Sequence, residues 1–69
     1  MLVKYSNIVV EIQSYAGGFR FYSPYDLKWI EVDGDVLHCK NRIHQHLHLE
    51  HKVPLGTVED YPMPENKEG

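Results

Sequence analysis

The stretch from residue 7 to residue 23 restricts this chain more than any other. Ile8, Val10, Ile12, Ser14 and Ala16 alternate with Asn7, Val9, Glu11, Gln13 and Tyr15. A period of two sets these groups on opposite faces of a strand, one drier than the other. Gly17-Gly18 follows, and paired glycines supply the positive φ angles of a two-residue hairpin turn. Residues 19–23 then read as the returning strand. A Gly17-Gly18 loop pairs Ala16 with Phe19 and Ser14 with Phe21, so both phenylalanines join Ile8, Val10 and Ile12. The opposite, wetter face collects Glu11, Gln13, Tyr15, Arg20 and Tyr22.

The remaining pattern extends this hairpin. Ser23-Pro24-Tyr25-Asp26 reads as a turn, residues 27–32 as a strand, Asp33-Gly34 as a second hairpin turn and residues 35–40 as its return. Leu27 and Trp29 fall on one face and Ile30 and Val32 on the other, with Trp29 expected in the core. Apolar groups on both faces suggest a sheet that closes on itself or is covered by a second subunit. Residues 43–53 read best as a further strand, with Ile43, Leu47, Leu49 and Val53 on one face and His44, His46 and His48 on the other. A helix capped by Asn41 is the alternative; it sets His44, His48 and His51 on one stripe. From Pro54 onward, Pro54, Pro62, Pro64 and Gly56 disfavour regular structure, apart from a short edge contact at Thr57-Val58. The expected organisation is one β-rich domain over residues 1–53 and a Pro-rich acidic tail over 54–69, partly disordered. The expected fold is mostly β: a small antiparallel meander of four or five strands, curved or barrel-like. The alternative is an antiparallel sheet plus one C-terminal helix around residues 41–52.

Composition narrows the function classes. A chain of 69 residues with 42% apolar content has one small core, so self-association or partner binding would add stability. The single cysteine excludes an internal disulfide framework. Lys4, Ser6, Asn7 and Glu11 interrupt the N-terminal apolar residues, which argues against a signal peptide or membrane span and for the cytoplasm. The net charge of −3 sits in the tail, where Glu59, Asp60, Glu65 and Glu68 face only Lys67. A neutral body with an acidic tail is a poor match for phosphate-dominated nucleic-acid binding, and a small-barrel nucleic-acid binder ranks behind the other readings.

No nucleophile–base pair or phosphate loop is fixed by motif, so no enzymatic activity and no catalytic residue is expected. Cys39 and His38 are adjacent and would point to opposite strand faces. Asp33 and Asp35 read as turn residues rather than as the start of a calcium loop. The histidine run is the sharpest chemical feature. On a strand, His44, His46 and His48 share a face, the outer two ~13 Å apart. An Asn41-Arg42 turn would bring Cys39 opposite His44, so Cys39, His44 and His46 are the candidate zinc ligands and zinc the one candidate cofactor. A metal-binding or pH-sensing protein is thus the second functional reading.

The leading expectation is a small non-enzymatic protein-binding module, an inhibitor or accessory factor that occludes a larger partner's surface. A phage- or mobile-element-encoded inhibitor fits this description, and so does homo-oligomerisation. Tyr15, Arg20 and Tyr22 are the candidate contacts on the hairpin, because tyrosine and arginine combine large contact area with a polar handle. Glu59, Asp60 and Tyr61 in the acidic segment are the candidate second contact.

Overall fold

The computed structural model describes residues 1–62. Five strands form one antiparallel sheet: β1 (Leu2–Tyr5), β2 (Ile8–Tyr15), β3 (Gly18–Ser23), β4 (Lys28–Val32) and β5 (Val58–Tyr61), in the order β4-β3-β2-β1-β5. The first four are a meander, as expected of a mostly β chain. β2 is long enough to pair Ile8–Glu11 with β1 and Ile12–Tyr15 with β3. A helix, α1 (Val36–His44), continues as a π-helical turn over Gln45–Glu50 and packs on one sheet face. With that face covered, the apolar surface is buried without barrel closure, and β4 and β5 remain as edges.

The central hairpin has the expected faces and a shifted turn. Tyr15 pairs with Gly18, Ser14 with Phe19 and Ile12 with Phe21. The loop is therefore Ala16-Gly17, both with positive φ (49° and 82°), the signature of a tight hairpin turn. Gly18 is needed for another reason: a Cβ there would lie 2.6 Å from the Val32 carbonyl oxygen. The close approach of β4 thus draws Gly18 into the strand. The shift changes each partner by two residues, so Phe19 and Phe21 keep their place beside Val10 and Ile12.

The second half corrects two expected strands. Residues 35–40 and 43–53 do not extend the sheet. Asp35 caps α1, its Oδ1 accepting the His38 backbone N–H at 3.0 Å. Val36, Cys39, Ile43 and Leu47 follow at spacings of three and four, the period of a helix face. Cys39, Ile43 and Leu47 are fully buried against Val3, Tyr5, Val10, Ile12 and Phe21. The alternative of a C-terminal helix over residues 41–52 comes nearer, although the cap is Asp35 rather than Asn41. Asp33-Gly34 leads into this helix instead of turning a hairpin.

The Asp35 cap is sensitive to acid. The His38 backbone N–H, then the His38 side chain at 2.8 Å, hold the Asp35 carboxyl below its ordinary value of 3.8. A depressed folded-state value means the contribution is complete above the unfolded value and is lost as pH falls through the lower folded value. Thermal midpoints measured from pH 5 to pH 2 should fall less steeply for Asp35→Ala than for the parent. The variant should already be less stable at pH 5.

Two strands join from places the alternation did not indicate. β1 turns into β2 through Ser6-Asn7, pairing Tyr5 with Ile8. β5 adds to the outer edge of β1, Leu2 opposite Tyr61 and Tyr5 opposite Val58. The chain before β5 is fastened by buried Tyr5, whose hydroxyl accepts the Gly56 N–H at 3.0 Å. Tyr5→Phe removes that acceptor and should lower stability by about 1 kcal/mol, read as a shift in the urea midpoint. Of the expected partly disordered tail over residues 54–69, residues 63–69 lie outside the described residues, while Val58–Tyr61 form a strand.

Candidate functional site

The outward face of β2, β3 and β4 carries a continuous aromatic–arginine cluster. Strand alternation sends Phe19, Phe21, Ile30 and Val32 toward α1, and it sends Gln13, Tyr15, Arg20, Tyr22 and Trp29 the other way. Register then makes neighbours of them: Gln13 opposite Arg20, and Tyr22 opposite Trp29. The Arg20 guanidinium carbon lies 4.3 Å from the Tyr15 ring centre and 4.4 Å from that of Trp29. Two rings therefore grip one cation from the face. Gln13 Oε1 accepts from Arg20 Nη2 at 2.9 Å and Nε at 3.2 Å. Tyr22 meets Trp29 edge to face at 5.4 Å. Among the described residues no carboxylate forms an ion pair with Arg20.

This brings together the expected Tyr15, Arg20 and Tyr22 and adds Gln13 and Trp29. Trp29 is not in the core; it is half-buried on the open face, because Ile30 and Val32 take the inward positions of β4. Its partnership with Tyr22 follows from the β3–β4 register, which the strand pattern alone leaves open. Glu59, Asp60 and Tyr61 lie elsewhere, on β5 at the opposite end of the strand order. Asp60 faces the helix side and pairs with Lys40 of α1 at 2.8 Å, and Glu59 accepts from the Thr57 hydroxyl.

On the other side of the sheet, the histidine run splits because it is helical. His44 stands edge-on to Tyr5 at 5.3 Å and 5.7 Å from the His48 ring, and His48 Nδ1 donates to the Val53 carbonyl at 2.8 Å. His46 turns to the opposite side and is buried. Its Nδ1 lies 2.8 Å from Glu50 Oε1 and its Nε2 2.7 Å from Ser23 Oγ. Glu50 is held below the usual carboxylate range, first by the His46 hydrogen bond and then by the Arg42 charge. Arg42 Nη1 is 3.2 Å from Glu50 Oε2, an ion-pair contact whose angle makes no hydrogen bond. An ionised carboxylate can only accept, so His46 Nδ1 carries a proton, and in the neutral ring Nε2 is then the nitrogen with the lone pair.

The hairpin that would have paired Cys39 with His44 is absent, so the expected trio of Cys39, His44 and His46 loses its basis. Cys39 is fully buried in α1, and burial raises its thiol pKa, which suits an inert core residue. The metal-ligand grouping found among the described residues is Asp26, His46 and His51. Ser23, His46 and Glu50 also stand in the order of nucleophile, base and orienting carboxylate. Ser23 is 0% and His46 1% exposed, however, so no substrate carbonyl can reach the hydroxyl, and the trio is a hydrogen-bond chain that runs from the core out to the exposed Glu50. Among the described residues no helix is long and apolar enough to cross a membrane. Compared with known proteins, the chain matches no family model, no curated protein and no solved structure.

Proposed function

We propose that this chain is a non-enzymatic protein-binding module, an inhibitor or accessory factor that lays the open face of its sheet on a larger protein and occludes it. The observation that carries this reading is the Arg20 guanidinium held between Tyr15 and Trp29 on the face α1 leaves uncovered. Held this way, the side chain has already lost much of the freedom that binding would otherwise remove. Tryptophan, tyrosine and arginine are also the side chains that dominate interface energies. A chain with so small a core places its single tryptophan outside that core.

The chemistry of the partner follows from the charge. Arg20 is cationic, forms no ion pair among the described residues and offers a planar fork, which suits a carboxylate flanked by apolar side chains. Bases stacked on Tyr15 and Tyr22 would need a basic surround, whereas Glu31 pairs across from Arg20 and Glu11 bonds Gln13. An interface of ordinary size takes about 800 Å² from each side, a modest share of the 4591 Å² surface.

Trp29 is a built-in reporter. The immobilised chain should capture a protein from a lysate of its source organism. Titrating that protein, once purified, into the free chain should shift Trp29 emission to saturation at one equivalent. A partner that binds without altering Trp29 emission would contradict the reading. So would a Trp29 shift that follows the chain's own concentration and sediments as a dimer, since the occupant would then be a second copy.

A further inference from the structure

We propose that Asp26, His46 and His51 form a binding site for a divalent transition-metal ion of the zinc class, one that fastens the β3–β4 loop to the end of the helix. The three ligand atoms come from two elements that the fold brings together. In a regular α-helix, residues five apart point about 140° away from each other. Here the π turn closes a hydrogen bond from the His51 N–H to the His46 carbonyl at 3.2 Å, and the two rings meet edge to face at 4.6 Å. Such one-turn π segments recur at functional sites. Asp26 arrives from the loop after β3, where its own N–H is held by Ser23 Oγ at 3.0 Å and the next residue, Leu27, takes a left-handed φ of 57°.

The spacing suits a small ion. Four ligands at about 2.0–2.2 Å in a tetrahedron stand roughly 3.4 Å from one another. Asp26 Oδ1 is 3.2 Å from His51 Nε2, Asp26 Oδ2 is 3.7 Å from His46 Nε2, and all three ligand atoms fall within 4.8 Å. The surroundings are those of a ligand set as well. Glu50 accepts from His46 Nδ1, fixing the tautomer that leaves Nε2 free to ligate, and Arg42 backs Glu50; a carboxylate behind a histidine is the usual outer support of such a site. Tyr25 stacks flat on His51 at 4.6 Å, and Phe21 meets His46 at 5.6 Å, so both rings are held in place. The inner wall is closed, with His46 at 1% exposure. The outer wall is open, with the His51 and Asp26 side chains at 26% and 35%. The ion would enter there and keep one position for water, displacing the Ser23 hydroxyl as the partner of His46 Nε2. A chain of this size gains much from a cross-link of this kind.

The test is a cobalt(II) titration of the full chain, followed by its visible absorption, with zinc competition. The parent should develop the tetrahedral cobalt spectrum at one equivalent, lose it to zinc, and show a higher melting temperature with zinc. Asp26→Asn and His51→Gln replace partly exposed side chains and, with far-UV spectra unchanged, should lose the absorption. Glu50→Gln should keep the spectrum at an affinity about 10–100-fold weaker. The His44→Gln/His48→Gln double variant should bind as the parent does. No tetrahedral spectrum in the parent would overturn the proposal, and so would a spectrum that survives Asp26→Asn and His51→Gln but vanishes in His44→Gln/His48→Gln.

Discussion

Phe21→Ala should strip the chain of a large part of its stability at 25 °C. Phe21 is wholly buried, sits between Ile12 and Ile30 of the flanking strands and meets the His46 ring from β3. Truncating a buried phenylalanine removes about 3–5 kcal/mol, the lost transfer energy plus the cavity left behind. At about 0.05–0.15 kcal/mol per residue, a chain of 69 residues holds only about 3–10 kcal/mol in total. One side chain therefore accounts for a large part of the stability, and the urea midpoint read from the far-UV spectrum should fall accordingly. Leu49 and Leu55 are apolar too, but they stand 62% and 71% exposed. Alanine at either should change stability by about 0.5 kcal/mol or less. Equal losses at Phe21 and Leu55 would mean that the core is not where the fold places it.

The Arg20→Ala/Tyr22→Ala double variant should behave in the opposite way, folded but without its partner. Both residues are half-buried on the outward face and contribute nothing to the layer between sheet and helix. Their loss takes away the gripped cation and the edge-to-face support of Trp29. Interface residues of this kind each account for about 2 kcal/mol or more, and each 1.4 kcal/mol is about tenfold in affinity. Binding should weaken by at least about 100-fold, measured by Trp29 emission against the purified partner, while the far-UV spectrum is kept. Arg20→Lys should fall between, because an ammonium keeps the charge but loses the planar contact with two rings and the fork toward a carboxylate. The two variants separate core from surface: one destabilises the molecule, the other blunts it.

How far this was legible in the sequence differs from element to element. The faces of β2 and β3 were readable because alternation depends only on parity. The turn position was not, because it depended on whether Gly18 served the bend or the close passage of Val32, a contact made by a strand further along. The helix had its signals present, in the Asp35 cap and the spacing of Val36, Cys39, Ile43 and Leu47. A strand reading of residues 35–40 and 43–53 passes over them, because Asp33-Gly34 looks locally like a hairpin and His44, His46 and His48 alternate. β1 and β5 are four residues each and pair with each other across the whole length of the chain, so local pattern marks β1 not at all and β5 only as the edge contact expected at Thr57-Val58. Tyr15, Arg20 and Tyr22 came from parity and stayed together; Trp29 needed a register. Asp26 and His51 could not be joined to His46 from the sequence, since a five-residue spacing becomes one side of a helix only after a π turn has formed.

In the proposed function, recognition belongs to the outward side of β2, β3 and β4 and not to the helix side. Side-chain footprinting of the chain, free and in complex with its purified partner, addresses this directly, since both sides carry exposed, reactive groups. The account requires that Tyr15, Tyr22 and Trp29 become shielded on binding while Tyr25, Leu37 and Leu49 label as before. Shielding of Tyr25, Leu37 and Leu49, with Tyr15 and Trp29 still labelled in the complex, would contradict it.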